Sequence, residues 1–263
     1  MKYEDIKYEQ EGHLVTITIN RPDRMNSCTE QTNNELIDAW HTFRADDAAW
    51  CAILTGEGDD WFSAGIDMQW LLEHFMSGEP YRKPEPREGI GGLTHEFECW
   101  KPLIAAINGN AGHAGFDMAM ACDMIVASED AKFILSAPKV AGATDRHGLI
   151  RLSRQLPLKI AMGTLLTGSE ITAQEGERWG LVNEVVPKGE VMAAARRWAD
   201  RVLQCAPLAL SGTKEWAMRQ FDLPYTAALT HKYFSWDEMR NSEDSREGLR
   251  AYAKGEKYEY KGQ

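Results

Sequence analysis

LIAAINGNAGHAGFDMAMACD, residues 103–123, is the stretch that decides the fold. An apolar, strand-like run from Leu103 to Ile107 leads into a glycine-rich turn, and a helix with Asp117 in its first turn follows. A second stretch, ILTGEGDDWFSAGID at 53–67, repeats the order of apolar run, glycine-rich turn and helix start. Each turn can aim a backbone N–H at one point, so the pair is suited to holding an oxyanion.

Composition limits the kind of protein to which these turns belong. The chain has 263 residues, 43% hydrophobic and 10% aromatic, which indicates one substantial globular domain with or without a small appendage. A net charge of −11 disfavours nucleic acid or an anionic membrane surface as the main partner. We see no secretion leader and no apolar run long enough to span a membrane. The five cysteines are scattered and lack a CxxC pair, so we expect a reduced cytoplasmic protein without a metal site.

Short apolar strands alternate with helical patterns in the first part of the chain. Strands are predicted at 15–20, 52–55, 103–108 and 124–127, and helices at 29–46 and 115–122. This alternation favours a parallel sheet reached by right-handed crossovers. The repeated strand–turn–helix order suggests stacked ββα units rather than a doubly wound sheet.

The remainder of the chain divides into a loop and a helical region. Residues 68–100 combine a helix start with a proline- and glycine-rich segment, which predicts a mobile loop that forms a lid or substrate wall. From about Ile160 the pattern is helical, with helices predicted at 193–204, 208–221 and 237–252. We therefore expect a core over residues 1–195 and a helical region over residues 196–263, whose excess of aromatic residues packs on the core and on neighbouring subunits.

Five motifs in order along the chain carry a resemblance to a known family. They are INRPDRMNS (19–27), ILTGEGDDWFSAGIDM (53–68), PLIAAINGNAGHAGFDMAMACDMIVASEDAKF (102–133), LLTGSEITAQEGERWGLVNEVVP (165–187) and SEDSREGLRAY (242–252). Together they resemble the crotonase superfamily, also called the enoyl-CoA hydratase/isomerase family. The resemblance implies an α/β fold, a crotonase-like spiral of ββα units with a helical C-terminal trimerisation region. It also implies homotrimers or dimers of trimers, acyl-CoA thioester substrates with coenzyme A as the carrier, no prosthetic group, and stabilisation of a thioester enolate.

By family position, the oxyanion hole is formed by the backbone N–H groups of Ile66 and Ala114. Losing one such donor costs roughly 3 kcal/mol in known oxyanion holes. The family usually has three consecutive glycines where this chain has His113, Ala114 and Gly115. The Cβ of Ala114 is expected to narrow the backbone angles of the turn. The His113 side chain could donate to an oxyanion, act as a base or cap the turn.

The acids decide the type of reaction. Hydratases of this family hold one water between two glutamates, whose positions correspond here to Asp117 and Ala137. Because alanine cannot hold a water, the partner acid is predicted in the following loop at Asp145, where several relatives place a working acid. Asp145 could share the water with Asp117 or attack as a nucleophile. His147 is a further catalytic candidate, and Arg146 is expected to be a structural residue or an ion-pair partner.

Binding residues are assigned from the same resemblance. Coenzyme A would contact Arg24, Met25, Ala64, Gly65 and Asp67. Its phosphates could meet Arg24, Arg82 or Lys83, or else Lys254 and Lys257 from the C-terminal tail of a neighbouring subunit. The acyl pocket would be lined by Trp61, Phe62, Trp70, Phe75 and Tyr81. Such an aromatic wall favours a cyclic or aryl acyl group.

Four functions remain open from the sequence. The first is hydration or dehydration of an enoyl-CoA. The second is retro-Claisen cleavage of a carbon–carbon bond in a β-diketone or cyclic β-oxo substrate, for which the histidines would be suited. The third is isomerisation or dehalogenation of an acyl-CoA, and the fourth is a non-catalytic binding subunit.

Overall fold

The computed structural model of this chain describes residues 2–76, 87–140 and 146–263, with the side chains of residues 74–76 and 140 outside that description. The strands are β1 (Ile6–Glu11), β2 (Leu14–Ile19), β3 (Cys51–Gly56), β4 (Trp61–Ser63), β5 (Leu103–Ile107), β6 (Asn110–Gly112), β7 (Met124–Ser128), β8 (Lys132–Ile134), β9 (Ile171–Thr172) and β10 (Glu184–Val186). The helices are α1 (Glu30–Ala45), α2 (Met68–Met76), α3 (Ala114–Ala121), α4 (Arg146–Gln155), α5 (Leu158–Thr167), α6 (Ala173–Trp179), α7 (Val191–Leu203), α8 (Pro207–Arg219), α9 (Tyr225–Thr230), α10 (Phe234–Asn241) and α11 (Glu243–Lys254).

The larger of two sheets has the strand order β1–β2–β3–β5–β7–β10. β1 is antiparallel to β2, and the other neighbouring strands are parallel. β2, β3 and β5 are buried along their whole length, as parallel strands covered on both faces usually are. The four strands predicted from the sequence are confirmed to within one residue at each end.

The smaller sheet has the order β4–β6–β8–β9, in which only β9 is antiparallel to its neighbour. Each repeat of the fold places its first strand in the larger sheet and its second in the smaller one, and a helix follows. The repeats are β3–β4–α2, β5–β6–α3 and β7–β8–α4. The prediction of stacked ββα units is therefore confirmed, and the turns that start α2 and α3 lie against each other.

α1 closes one side of the core. Thr29 and Thr32 form a reciprocal capping box at its start, which satisfies two N–H groups that the helix itself cannot. Trp40 and Phe43 are fully buried and anchor the helix against the larger sheet.

The segment 87–100 packs more closely than a mobile loop would. Its one-turn helix at Ile90–Gly92 lies between α1 and α3, and the Trp40 indole N–H donates to the Gly91 carbonyl at 2.9 Å. Leu93 and Thr94 are buried. The glycines that suggested flexibility are instead needed for close approach, because a Cβ on Gly91 would overlap the Met118 side chain.

The C-terminal part differs from the all-helical expectation in three places: the strands β9 and β10, and one helix that is divided. β10 pairs with β7 and so extends the larger sheet, although a strand of three residues shows no sequence periodicity. The helix predicted over 237–252 is divided at Ser242, whose backbone is extended. The Ser242 hydroxyl accepts the N–H of Ser245 at 3.0 Å and starts a new helix there.

Within the described residues, no helix is long and apolar enough to cross a membrane. All five cysteines are free thiols, and only Cys205 is exposed. Burial raises the pKa of Cys28 to about 12, which leaves that thiol protonated and unreactive at neutral pH.

Candidate active site

The first of the two turns connects β4 to α2. Gly65 has φ +89, a conformation that side chains rarely adopt. The Ser63 hydroxyl accepts the Gly65 N–H at 3.1 Å, and the Gly65 carbonyl accepts the Cys28 N–H at 2.7 Å. These bonds on both sides of Gly65 fix the direction of the next peptide, whose N–H belongs to Ile66.

Asp67 starts α2 and holds the turn in place. Its carboxylate accepts the N–H groups of Gln69 and Trp70, both at 3.1 Å, and pairs with Arg21 at 3.2 Å. Burial alone would raise the pKa of Asp67, but the Trp70 N–H and the Arg21 guanidinium lower it overall. This carboxylate is therefore ionised and already bonded within the protein.

The second turn connects β6 to α3 and contains a strained residue. His113 has φ 49 and ψ −116, although it carries a side chain. Such backbone conformations cost about 1–3 kcal/mol and persist where the surrounding structure holds them. Ala114 is already the first residue of α3, so the conformational constraint expected at Ala114 falls on His113 instead.

Glycines bring the two turns into contact. A Cβ on Gly115 would lie 2.2 Å from the Ser63 carbonyl oxygen, so the start of α3 packs directly on β4. A Cβ on Gly65 would lie 2.8 Å from the Ala114 nitrogen. The peptide that leads to Ile66 and the first N–H of α3 are therefore immediate neighbours.

Both predicted donors are available to a ligand. Among the hydrogen bonds of the described residues, none uses the N–H of Ile66 or that of Ala114. The Ala114 N–H belongs to the first turn of a helix, whose dipole adds partial positive charge there. Two fixed amides of this kind can stabilise an oxygen that gains negative charge.

Asp117 lies one turn further along α3 and is almost completely buried, with 2% of its surface exposed. One positive charge that acts on Asp117 is Arg151 of α4, the helix that packs against α3. Burial lowers the pKa of Arg151, and the neighbouring Asp117 carboxylate acts against that decrease. Arg151 also donates to the Thr94 carbonyl at 2.7 Å and so connects α4 to the segment 87–100.

The His113 ring extends toward Ser136 and Ala137. Its Nε2 lies 3.2 Å from the Ser136 hydroxyl, and Ala137 follows at the start of the one-turn helix Ala137–Val140. The His113 side chain is partly exposed, yet loss of its water shell to the surrounding protein lowers its pKa.

Comparison with known proteins identifies the family. The family model described as enoyl-CoA hydratase/isomerase matches residues 9–263. The chain belongs to the enoyl-CoA hydratase/isomerase family. It is 35% identical over 256 residues to the (E)-benzylidenesuccinyl-CoA hydratase of Thauera aromatica, covering 94% of this chain and 95% of that protein. It is also 35% identical over 255 residues to the carnitinyl-CoA dehydratase of Proteus mirabilis, covering 95% and 96%.

Solved structures of this family share the fold over the whole chain. The enoyl-CoA hydratase of Mycobacterium tuberculosis superposes with a TM-score of 0.89 at 30% identity, covering 98% of this chain and 99% of that one. The enoyl-CoA hydratase of Bacillus anthracis gives a TM-score of 0.88 at 26% identity, covering 99% and 100%. The crotonase fold is therefore confirmed.

The other candidate acid–base residues of this crotonase lie near α4. His147 is buried, and its ring lies 4.8 Å from the ring of the exposed His95. Arg146 donates to His147 Nε2 at 3.3 Å, so its described contact is a neighbouring imidazole. Asp145 lies outside the described residues, and its role stays a prediction.

The predicted acyl pocket is described only in part. Trp61 is half-buried beside Gly112, whose Cβ would lie 3.5 Å from the indole ring. Phe62 is fully buried in the core, and Trp70 is half-buried on α2. The Phe75 side chain and Tyr81 lie outside the described residues.

The residues predicted to bind coenzyme A lie in two segments that are hydrogen-bonded to each other. The Ala64 N–H donates to the Met25 carbonyl at 2.9 Å, which joins the two segments named by the sequence. Met25 is 49% exposed, and Arg24 donates to Gln69 at 2.8 Å. Arg82 and Lys83 lie outside the described residues, whereas Lys254 and Lys257 are exposed near the C-terminus.

Three residues that contribute to the site were not singled out from the sequence. Arg151 and Ser136 act through long-range contacts that have no local sequence signal. Ser63 orients the first turn, and a serine two residues before a glycine could have indicated such a bond.

Proposed function

We propose that the protein catalyses hydration or dehydration of an enoyl-CoA thioester. The observation that carries this proposal is the close contact between the two turns, together with the absence of any described hydrogen bond from the N–H groups of Ile66 and Ala114. The buried Asp117 on the same helix supplies an acid–base group. Relatives at 35% identity are named as a hydratase and a dehydratase of acyl-CoA substrates.

The reaction follows from these groups. Asp117 accepts a proton from water while the water oxygen bonds to the β-carbon of the acyl chain. The electron pair of the carbon–carbon double bond moves toward the thioester oxygen, and the two amides stabilise the resulting enolate. Asp117 then returns the proton to the α-carbon, which gives a 3-hydroxyacyl thioester and restores the carboxylate.

The Arg151 charge suits the start of this cycle. The Arg151 guanidinium interacts electrostatically with the Asp117 carboxylate, and the ionised carboxylate is the form that accepts a proton. Asp145 is the second acid that we assign to the water, on the strength of its position in the sequence alone.

The acyl group that we propose is bulky and cyclic or aromatic. Trp61 and Trp70 are both half-buried next to the first turn, so each has surface available to a ligand. The (E)-benzylidenesuccinyl-CoA hydratase relative is named for an aryl substrate. Aromatic walls favour flat apolar groups through their large contact area.

Coenzyme A is proposed to lie along Arg24, Met25, Ala64, Gly65 and Asp67. Of these, Arg24 and Met25 are exposed, whereas Asp67 supports the wall through Arg21.

We further propose a homotrimer or a dimer of trimers. Several apolar side chains of the C-terminal half remain exposed on a single chain, as expected of surfaces that pack between subunits.

Two sets of turnover measurements test this proposal: the unmodified protein with two thioesters, and two variants of the candidate acids. The purified protein should hydrate an aryl or alicyclic enoyl-CoA faster than crotonyl-CoA, and faster crotonyl turnover would exclude the bulky acyl group. Asp117→Asn should lower kcat by about 10²–10⁴-fold because the proton carrier is lost, while acyl-CoA affinity stays. Asp145→Asn should also abolish turnover, and an active variant would refute its role.

A matched control is Asp130→Asn, which alters an exposed acid in the turn between β7 and β8. Its kcat should equal that of the unmodified protein. An active Asp117→Asn variant would exclude the mechanism.

A further inference from the structure

His113 keeps a side chain at a position where glycine would be free of strain. Its φ of 49 and ψ of −116 belong to a region that residues with a Cβ rarely occupy. Two bonds hold it there, because its N–H donates to the Ile134 carbonyl at 2.8 Å and its carbonyl accepts the Asp117 N–H at 3.0 Å. His113 is strained, is held by hydrogen bonds on both sides, and directly precedes the proposed oxyanion donor Ala114. This arrangement indicates a functional role for its side chain.

The ring has one described partner, the Ser136 hydroxyl at 3.2 Å from Nε2. Ser136 follows the end of β8, which pairs with β6 so that Gly112 lies opposite Ile134. The pairing of these two strands therefore places the residue after β6 beside the residues after β8. Ala137, the next residue, has a methyl group where the family resemblance places a water-holding carboxylate.

We propose that His113 and Ser136 hold the attacking water together with Asp145, on the side where position 137 has no carboxylate. This inference rests on the proposed hydration reaction and names two further residues for it. Asp117 still carries the proton, whereas the imidazole and hydroxyl orient the water oxygen toward the β-carbon.

The chemistry of the pair suits a neutral water. A neutral imidazole offers one donor and one acceptor nitrogen, and a serine hydroxyl can donate and accept. Burial alone lowers the pKa of His113, and no charged group of the described residues contributes to that decrease. The ring is therefore uncharged at neutral pH, and because Nε2 bonds to Ser136, Nδ1 is left to donate or accept one hydrogen bond with the water.

Four variants separate this role from a structural one. His113→Gly removes the ring and the strain, His113→Ala removes the ring alone, and Ser136→Ala keeps the strained backbone intact. The double variant His113→Gly/Ala137→Glu restores a carboxylate at position 137. The control is His13→Ala, because His13 is an exposed histidine between β1 and β2 that stacks on Trp50.

If His113 and Ser136 hold the attacking water, their variants should have a lower kcat with little change in KM. His113→Gly and His113→Ala should lower kcat by about a hundredfold, and Ser136→Ala by about tenfold. The double variant should recover at least about tenfold of the loss because the carboxylate can hold water again. His113→Gly should melt at the same temperature as the unmodified protein or higher, and His13→Ala should keep its kcat.

The pH dependence of kcat is an independent test of the role of His113. In the unmodified protein, kcat should fall as pH decreases through the His113 pKa, which lies below 6.5. That acid limb should disappear in His113→Gly.

Two results would overturn the inference. If the unmodified protein hydrates an enoyl-CoA and His113→Gly keeps kcat within about twofold, His113 holds no reacting water. If glutamate at position 137 restores nothing, the pair does not replace a carboxylate. A protein that hydrates no enoyl-CoA at all would overturn the proposed function itself, and the water-holding role falls with it.

Discussion

Gly115 is the residue at which the second turn has least room. Its missing Cβ leaves space for the Ser63 carbonyl oxygen, which would otherwise lie 2.2 Å away. Gly115→Ala should therefore displace α3 from β4 and destabilise the fold by about 3 kcal/mol, since a backbone atom cannot move aside cheaply. Urea unfolding at neutral pH measures the change in the free energy of unfolding.

The control for this substitution is Gly163 in α5, where a Cβ would meet nothing within 4 Å. Gly163→Ala should stabilise the protein by about 0.5–1 kcal/mol, because alanine has the higher helix propensity. Equal effects at the two glycines would contradict the close contact between α3 and β4.

Some residues of the candidate site could be assigned from short sequence motifs, whereas others depend on contacts between distant parts of the chain. Ile66, Ala114 and Asp117 could be assigned from the sequence because each has a fixed place in a short motif. The positive φ of His113 could not, since it depends on pairing between β6 and β8. Arg151 reaches Asp117 only through the packing of α4 on α3, which no local pattern encodes.

At the scale of elements, the start of α2 depends on an ionised Asp67. Asp67→Asn should keep the hydrogen bonds to Gln69 and Trp70 but lose the ion pair with Arg21. At neutral pH we expect the substitution to cost about 1–2 kcal/mol in the free energy of unfolding.

The pH dependence of that cost follows from the lowered pKa of Asp67. Its stabilising effect is complete above the ordinary value of 3.8 and is lost as pH falls through the lower folded-state pKa. The free energy of unfolding is measured for the unmodified protein and for Asp67→Asn, at neutral pH and well below pH 3.8. The difference between the two proteins should disappear in acid. A difference in the free energy of unfolding that does not change with pH would contradict the ion pair.

Elements with clear periodicity could be predicted, and those without it could not. β2, β3 and β5 are apolar runs of five or six residues, and α1 has an apolar stripe along its 16 residues. β4, β6 and β8 have three residues each, which is too short to show alternation. The division at Ser242 was missed because the polar helices on either side continue one pattern.

At the scale of the whole molecule, α5 presents an unburied apolar stripe. Leu158, Met162 and Leu166 are spaced four residues apart on one face and are 60%, 37% and 70% exposed. We expect this face to pack in the proposed trimer. Leu166→Asp should raise the dissociation constant of the assembly at least about tenfold, because a charge would be buried in an apolar interface.

Light scattering coupled to size-exclusion chromatography measures that change. Lys159→Asp alters an exposed polar position of the same helix and should leave the assembly intact. An unmodified protein that runs as a monomer would contradict the proposed trimer.

The fate of a water oxygen tests the central claim most directly. The protein is incubated with an aryl enoyl-CoA in water labelled with heavy oxygen, and the products are examined by mass spectrometry. Hydration predicts an intact thioester that has gained one labelled water, with the label on the β-carbon. Label in a released carboxylate would indicate hydrolysis, and an intact thioester of unchanged mass would indicate isomerisation or no reaction. Either result would contradict the hydratase mechanism.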